Sequence, residues 1–210
     1  MNTLRVLQAK RALTVWTLLL LCLFTTNAWA DAPAPHPAQA RYEVRFLTSM
    51  IDHHAMAAEM ASTCESKPGI HDELRELCTD IRIAQRNEID LMQGWLGDWY
   101  GVTHSPQMSR GDMRKMEKLA SLTGAEYEIA FMTRMVDHHS LAIRRASGCL
   151  LRAHHDDLVD LCVNIIEAQV LEIRLMRMWL CEWHGLCGDR RHASTMWDGA
   201  YRHASSAFAR

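Results

Sequence analysis

The residue types that could do chemistry recur in two places along the chain. The segment from Phe46 to His54 carries Met50, His53 and His54, and the segment from Phe131 to His139, at an offset of 85, carries the same pattern. A second pattern returns at an offset of 84, with Gln85, Glu88, Met92, Trp95 and Trp99 matched by Gln169, Glu172, Met176, Trp179 and Trp183. The sequence therefore predicts two tandem copies of one unit.

Each copy contains two long segments that lack Pro and have Gly only towards their ends, joined by a short loop. Apolar residues in these segments repeat in alternating steps of three and four, which is typical of packed helices. We expect an all-α protein, a four-helix bundle made of two tandemly duplicated helical hairpins. The predicted hairpins span residues 41–101 and 124–185, with a connection over residues 102–123 and a C-terminal tail over residues 186–210.

Residues 1–30 have the features of a secretory signal peptide. They contain three bases and no acid, an apolar run from Leu13 to Phe24, and Ala28-Trp29-Ala30 as a cleavage site. Residues 31–40, with three prolines, are predicted to be a flexible leader. We expect an exported protein, periplasmic or secreted, with no membrane attachment after signal cleavage.

Removing this segment changes the net charge from -2 to -5, because 20 Lys and Arg then face 25 Asp and Glu. That balance argues against a nucleic-acid partner. Six cysteines remain in the exported chain, and an even number there favours disulfides. They are Cys64, Cys78, Cys149, Cys162, Cys181 and Cys187.

Pairing Cys64 with Cys78 fixes the register of the first hairpin. That register places Met50 opposite Met92 and His53 opposite Glu88, and pairing Cys149 with Cys162 gives the matching result in the second hairpin. His54 and His139 are predicted beside the buried stripe, turned either towards it or towards solvent. The two clusters either share one site at the bundle centre or form one site each.

Buried His and Glu in an apolar stripe need partners, and a metal ion is the partner that this chemistry favours. Thioether and imidazole ligands favour copper, as Cu(I), with zinc or no metal as the alternatives. Glu serves as a ligand or fixes the His tautomer. The predicted metal-site residues are Met50, His53, His54, Met60, Glu88, Met92, Met135, His138, His139, Glu172 and Met176.

Met-x-x-His-His followed by Gln-x-x-Glu-x-x-x-Met-x-x-Trp resembles the domain-of-unknown-function family 305, over roughly residues 43 to 185. The resemblance implies a ferritin-like fold, export and a role in copper binding. Arg145, where the first copy has Met60, puts a complete second site in doubt. The family pattern does not include the cysteines.

The leading hypothesis is a periplasmic protein that binds or buffers copper and is not an enzyme. A metal-dependent oxidoreductase that uses the same site is one alternative. The other is a metal-free structural or interaction module with a buried His-Glu-Gln network. The sequence does not define the oligomeric state.

The register requires oxidised cysteines. We expect that the unfolded, unreduced exported protein gains no mass on thiol alkylation, as read by intact mass spectrometry. Reduction before alkylation is the control and should add six alkyl groups, one for each cysteine. Six alkylated thiols without reduction would contradict the register.

Overall fold

Five helices account for most of the computed structural model, which describes residues 32–187. They are α1 (Pro37–Glu65), α2 (Asp72–Tyr100), α3 (Arg110–Ala120), α4 (Gly124–Cys149) and α5 (Asp156–His184). The described residues contain no strand, and the predicted all-α class is confirmed. The predicted signal peptide and all but two residues of the predicted C-terminal tail lie outside the described residues.

The ends of the long helices follow from local sequence. Pro37 occupies the first turn of α1, where a missing N–H costs nothing, so the helix begins inside the segment expected to be a leader. Gly101 and Gly185 end α2 and α5 in the left-handed conformation, with φ of 62° and 69°. None of the described helices is long and apolar enough to cross a membrane.

Helices α1 and α2 form one antiparallel hairpin, and α4 and α5 form the other. Three disulfides join the expected cysteines: Cys64 with Cys78, Cys149 with Cys162, and Cys181 with Cys187. Each of the first two joins the two helices of one hairpin, near the loop that closes it. The register deduced from the cysteines is therefore the one that the hairpins adopt there.

The bundle has two apolar cores, one towards each end. The first core surrounds Cys64 and Cys78 and contains Phe131, Met135 and Met176 from the other hairpin. The second core surrounds Cys149 and Cys162, with Phe46, Met50, Met92 and Trp99 from the first hairpin. Each core thus combines the closed end of one hairpin with the open end of the other, so α1 and α4 run antiparallel.

A buried carboxylate from each hairpin completes a helix start in the other. Glu43 of α1 is fully buried and accepts hydrogen bonds from the backbone N–H groups of His154 and His155, at 2.5 and 3.1 Å. Its other oxygen lies 2.6 Å from His155 Nδ1 and accepts from the Tyr100 hydroxyl at 2.5 Å. Because α5 begins at Asp156, Glu43 satisfies N–H groups that the helix leaves unpaired.

Glu128 of α4 does the same for α2. It accepts from the backbone N–H of His71 at 2.6 Å and lies 2.9 Å from that ring's Nδ1. The rings of His71 and His155 stack on Trp183 and Trp99, with centroids 4.0 and 3.8 Å apart. We call these two arrangements the crossed caps.

Replacing Glu43 with Leu removes the acceptor for four donor groups that remain buried or half-buried. We expect the free energy of unfolding to fall by about 3–5 kcal/mol, measured by urea denaturation. Glu73→Leu, at an exposed position in the first turn of α2, is the control and should change it by less than about 1 kcal/mol. Equal effects would contradict the capping role.

Candidate metal centre between the two cores

A layer of polar side chains separates the two apolar cores at the middle of the bundle. Each of the four long helices contributes two residues, and six of the eight are buried. We call this set the central layer; its members are His53, His54, Gln85, Glu88, His138, His139, Gln169 and Glu172. Six of the eleven predicted metal-site residues belong to it.

Within each hairpin a buried histidine meets a glutamate of the neighbouring helix. His54 Nε2 and Glu88 Oε2 lie 2.8 Å apart, and His139 Nε2 and Glu172 Oε2 lie 2.6 Å apart. Both imidazoles are completely buried. The contact of His54 with Glu88 is a hydrogen bond, whereas that of His139 with Glu172 is a close approach without hydrogen-bond geometry. His54 Nδ1 and both nitrogens of His139 have no hydrogen-bond partner among the described residues.

The predicted pairing of His53 with Glu88 is therefore wrong by one residue. His54 takes that place. Of the two orientations expected for His54 and His139, the structure has the inward one, because both are completely buried. The physical reason is that α1 buries two adjoining faces. One face packs on α2 and carries His54, while the next, about 100° further round the helix, packs on α4 and carries His53.

His53 and His138 meet across the interface between the hairpins. Their ring centroids are 3.6 Å apart and the ring planes are inclined by 32°. The ring of His53 is 6.3 Å from that of His54, and the ring of His138 is 6.2 Å from that of His139. The four imidazoles thus form one row at the bundle centre, so the two expected clusters adjoin each other.

The two central rings carry the most unusual chemistry of the layer. Neither nitrogen of His53 or of His138 has a hydrogen-bond partner among the described residues, although all four nitrogens are buried. An unpaired polar atom in such a place costs on the order of 1–3 kcal/mol. A neutral imidazole has one nitrogen with a lone pair and one N–H, so the two rings together offer two lone pairs to a metal ion.

Burial and neighbouring charge keep these rings neutral. Burial lowers the pKa of His138 to about 3, with smaller contributions from His139, His54 and the Arg145 guanidinium. The pKa of His53 is also far below the ordinary histidine value, again mainly because of burial and then because of His138. A neutral imidazole is the form that binds metals, so no proton competes with a metal ion at pH 7.

The predicted thioether ligands are buried in the apolar cores next to the layer. Met50 and Met92 belong to the second core, while Met60, Met135 and Met176 belong to the first. Met50 and Met135 each precede a central histidine by three residues, which is about one helical turn. The structure thus distributes the predicted methionines on both sides of the imidazole row.

The arrangement limits the kind of metal site that the layer could form. Among residues 32–187, no group of three or more His, Cys, Asp or Glu side chains is arranged to hold a metal ion. A metal held here would therefore need thioether ligands besides imidazole, which favours a soft ion. Arg145, which follows Met60 at an offset of 85 in the sequence, is half-buried, and its positive charge acts on both central histidines.

Sequence reasoning missed the residues of the crossed caps. Glu128 follows Glu43 at an offset of 85, and His155 follows His71 at an offset of 84, which are the offsets of the predicted repeat. Extending the comparison of the two copies to these positions would have found them. They were missed because a glutamate near the start of a helix is usually a solvated residue.

Fold and site together define a disulfide-linked helical bundle with a histidine-rich centre. The model of the family described as "Domain of unknown function (DUF305)" matches residues 43–180, and the chain belongs to this family. No curated protein matches the chain.

Several solved structures are similar to this chain. "CopM in the Cu(I)-bound form" is 26% identical with a TM-score of 0.61, over 68% of this chain and 98% of that one. "CopM in the Ag-bound form" is 27% identical, with the same TM-score and coverage. A "putative secreted protein DUF305 from Streptomyces coelicolor" is 28% identical with a TM-score of 0.59, over 70% of this chain and 95% of that one.

The lowered pKa values predict acid sensitivity. In the unfolded chain both central histidines take up protons below about pH 6.5, whereas in the folded protein they stay neutral until far lower pH. The free energy of unfolding should therefore fall between about pH 6.5 and 4, by up to ~1.4 kcal/mol per pH unit for each histidine.

The test compares this slope with that of the double variant His53→Leu, His138→Leu, by urea denaturation at each pH. We expect a shallower slope in the variant. The double variant His36→Ala, His154→Ala, which removes two exposed imidazoles, is the control and should keep the original slope. An unchanged slope in the double Leu variant would show that His53 and His138 of the original protein take up protons in the folded state.

Proposed function

We propose that this protein binds copper, preferentially as Cu(I), in the central layer, and that it stores or buffers the ion without catalysing a reaction. The observation that carries the proposal is the contact of His53 with His138. These two neutral rings bring four buried, unpaired nitrogens to one place, with thioethers one helical turn away on both sides.

Ligand chemistry supports copper over other ions. Imidazole suits several transition metals, but thioether is a soft ligand that favours Cu(I). Hard ions need several oxygen ligands, and the two carboxylates of the layer are each engaged by a histidine. The similarity to CopM, solved with Cu(I), Cu(II) and silver, supports the same choice.

Each group of the layer has a separate role in the proposal. His53 and His138 supply nitrogen ligands, and the buried methionines beside them supply sulfur. Glu88 and Glu172 hold the rings of His54 and His139, so that the Nδ1 atom of each faces away from its carboxylate. Partners of this kind fix the orientation of a histidine and raise its basicity as a ligand.

Burial supports binding rather than turnover. His54 and His139 are fully buried and His53 is only 9% exposed. His138 is partly exposed, but both its ring nitrogens are buried, so a substrate would have no direct contact with a metal ion held by these atoms. An oxidoreductase needs an open coordination position that its substrate can reach. The proposed role is therefore retention of the ion inside the bundle.

We also propose that the protein acts outside the cytoplasm, in the periplasm of a bacterium. The signal-like segment over residues 1–30 supports this, as does the similarity to a secreted protein of the family. Three disulfides fit an oxidising compartment, where such bonds persist. Copper outside the cytoplasm is within reach of a protein placed there.

The test is an anaerobic titration with Cu(I) against a coloured Cu(I) chelator. Ascorbate is the reductant, because it keeps copper as Cu(I) and leaves the disulfides oxidised. We expect the variant His53→Leu, His138→Leu to bind Cu(I) at least about 100-fold more weakly, which exceeds the usual cost of losing only an outer partner. The control variant His36→Ala, His154→Ala should bind like the original protein.

Circular dichroism at the titration temperature establishes that each variant is folded. Equal Cu(I) binding by the original protein and by the variant His53→Leu, His138→Leu would show that copper binds elsewhere and that the central layer is a structural network. Failure of the original protein to compete with the chelator would also refute the proposal.

A further inference from the structure

The interface between α1 and α4 forms two matching grooves, one on each half of the bundle. The floor of one is Tyr127 with Phe131, whose ring centroids are 6.0 Å apart. The floor of the other is Tyr42 with Phe46, whose centroids are 6.1 Å apart and which precede the first pair by the repeat offset. We call them the closed groove and the open groove.

Helix α3 covers the closed groove. Met116, Leu119 and Leu122 pack against the first core, and Tyr127 is completely buried. Lys67 lies 4.9 Å above the Tyr127 ring and donates hydrogen bonds to the carbonyl oxygens of Ala120 and Leu122, at the C-terminal end of α3. This groove therefore already holds a three-turn amphipathic helix.

The open groove has the same Tyr–Phe floor between α1 and α4, and no described helix covers it. It is about 470 Å³ in volume, between α1 and α4. Arg152 follows Lys67 at the repeat offset and occupies the corresponding place, with its guanidinium 5.6 Å above the Tyr42 ring. Tyr42 is only partly buried, in contrast to Tyr127.

Four arginines line the open groove: Arg45, Arg144, Arg145 and Arg152. None of them forms an ion pair with a carboxylate among the described residues. Three of the four stand where the closed groove has Ala130, Glu59 and Met60. Such a concentration of unpaired positive charge, in a chain with net negative charge, attracts an acidic partner.

We propose that the open groove binds an acidic amphipathic helix of about three turns from a partner protein. Its apolar face would pack on Tyr42 and Phe46, as α3 packs on Tyr127 and Phe131. Its carboxylates would pair with Arg45, Arg144 and Arg145. Arg152 would bind the carbonyl groups at its C-terminal end, as Lys67 binds those of α3.

The probe is a peptide copied from residues 109–122, which carries the apolar stripe of α3 and a fluorescent label. In the acidic form it has Arg110→Glu, Arg114→Glu, Lys115→Glu and Lys118→Glu, and the unchanged copy is the matched basic peptide. Fluorescence anisotropy with the purified full chain measures the binding of each. We expect the acidic peptide to bind and the basic peptide not to bind.

The groove variant is Arg45→Ala, Arg144→Glu, which installs the residues of the closed groove at two exposed positions. We expect it to bind the acidic peptide at least about tenfold more weakly. The control variant Arg177→Ala, Arg114→Glu makes the same change of charge at exposed positions on α5 and α3, and should bind like the original protein.

Equal weakening in both variants would show binding to general positive charge and would overturn the proposal. No binding of the acidic peptide would also overturn it, as would binding of inorganic pyrophosphate at these arginines without binding of the peptide. Peptide binding that appears only after deletion of residues 189–210 would assign the groove to the chain's own tail instead of a partner. The test does not involve copper, so its outcome is independent of the proposed metal site.

Discussion

Burial of a polar layer between two apolar cores is the constraint on which the rest of this structure depends. Eight polar side chains, six of them buried, lie at mid-bundle between the two apolar cores. The outer two histidines are paired with glutamates of their own hairpins, and the inner two have no hydrogen-bond partner among the described residues. Burial of this layer lowers the free energy of unfolding, and the cores on either side and the three disulfides offset that loss.

The two ends of the bundle supply that stability in matching ways. Each core is closed by a disulfide from one hairpin and by aromatic and methionine side chains from the other. The crossed caps then tie the first helix of each hairpin to the start of the second helix of its neighbour. The stability of the two ends offsets the cost of burying His53 and His138 with ring nitrogens that lack hydrogen-bond partners.

Much of the fold could be read from the sequence because its signals are local and repeated. Uninterrupted helical spacing predicted the four long helices, and the cysteine register aligned each hairpin near its closed end. The sequence did not resolve which of two adjacent histidines faces the neighbouring helix in the hairpin. A helix that buries two adjoining faces has two inward positions in succession, and periodicity alone does not distinguish His53 from His54.

The contact between the two hairpins also could not be predicted from local sequence patterns. The contact of His53 with His138 depends on how two separate hairpins pack, and no residue spacing within either hairpin encodes it. The crossed caps are non-local for the same reason, since Glu43 and His155 are 112 residues apart. Sequence comparison of the two halves marks such residues as repeated without showing that they meet.

The crossed caps also bear on how the chain gains and loses its structure. Neither hairpin is chemically complete alone. The backbone N–H of His71, just before α2, donates to Glu128, and those of His154 and His155, just before α5, donate to Glu43. If one hairpin opened, its neighbour would keep a bare helix start and a buried carboxylate without its donors. Although similar residues recur in its two hairpins, the bundle should therefore melt as one cooperative unit, with no stable half-folded intermediate.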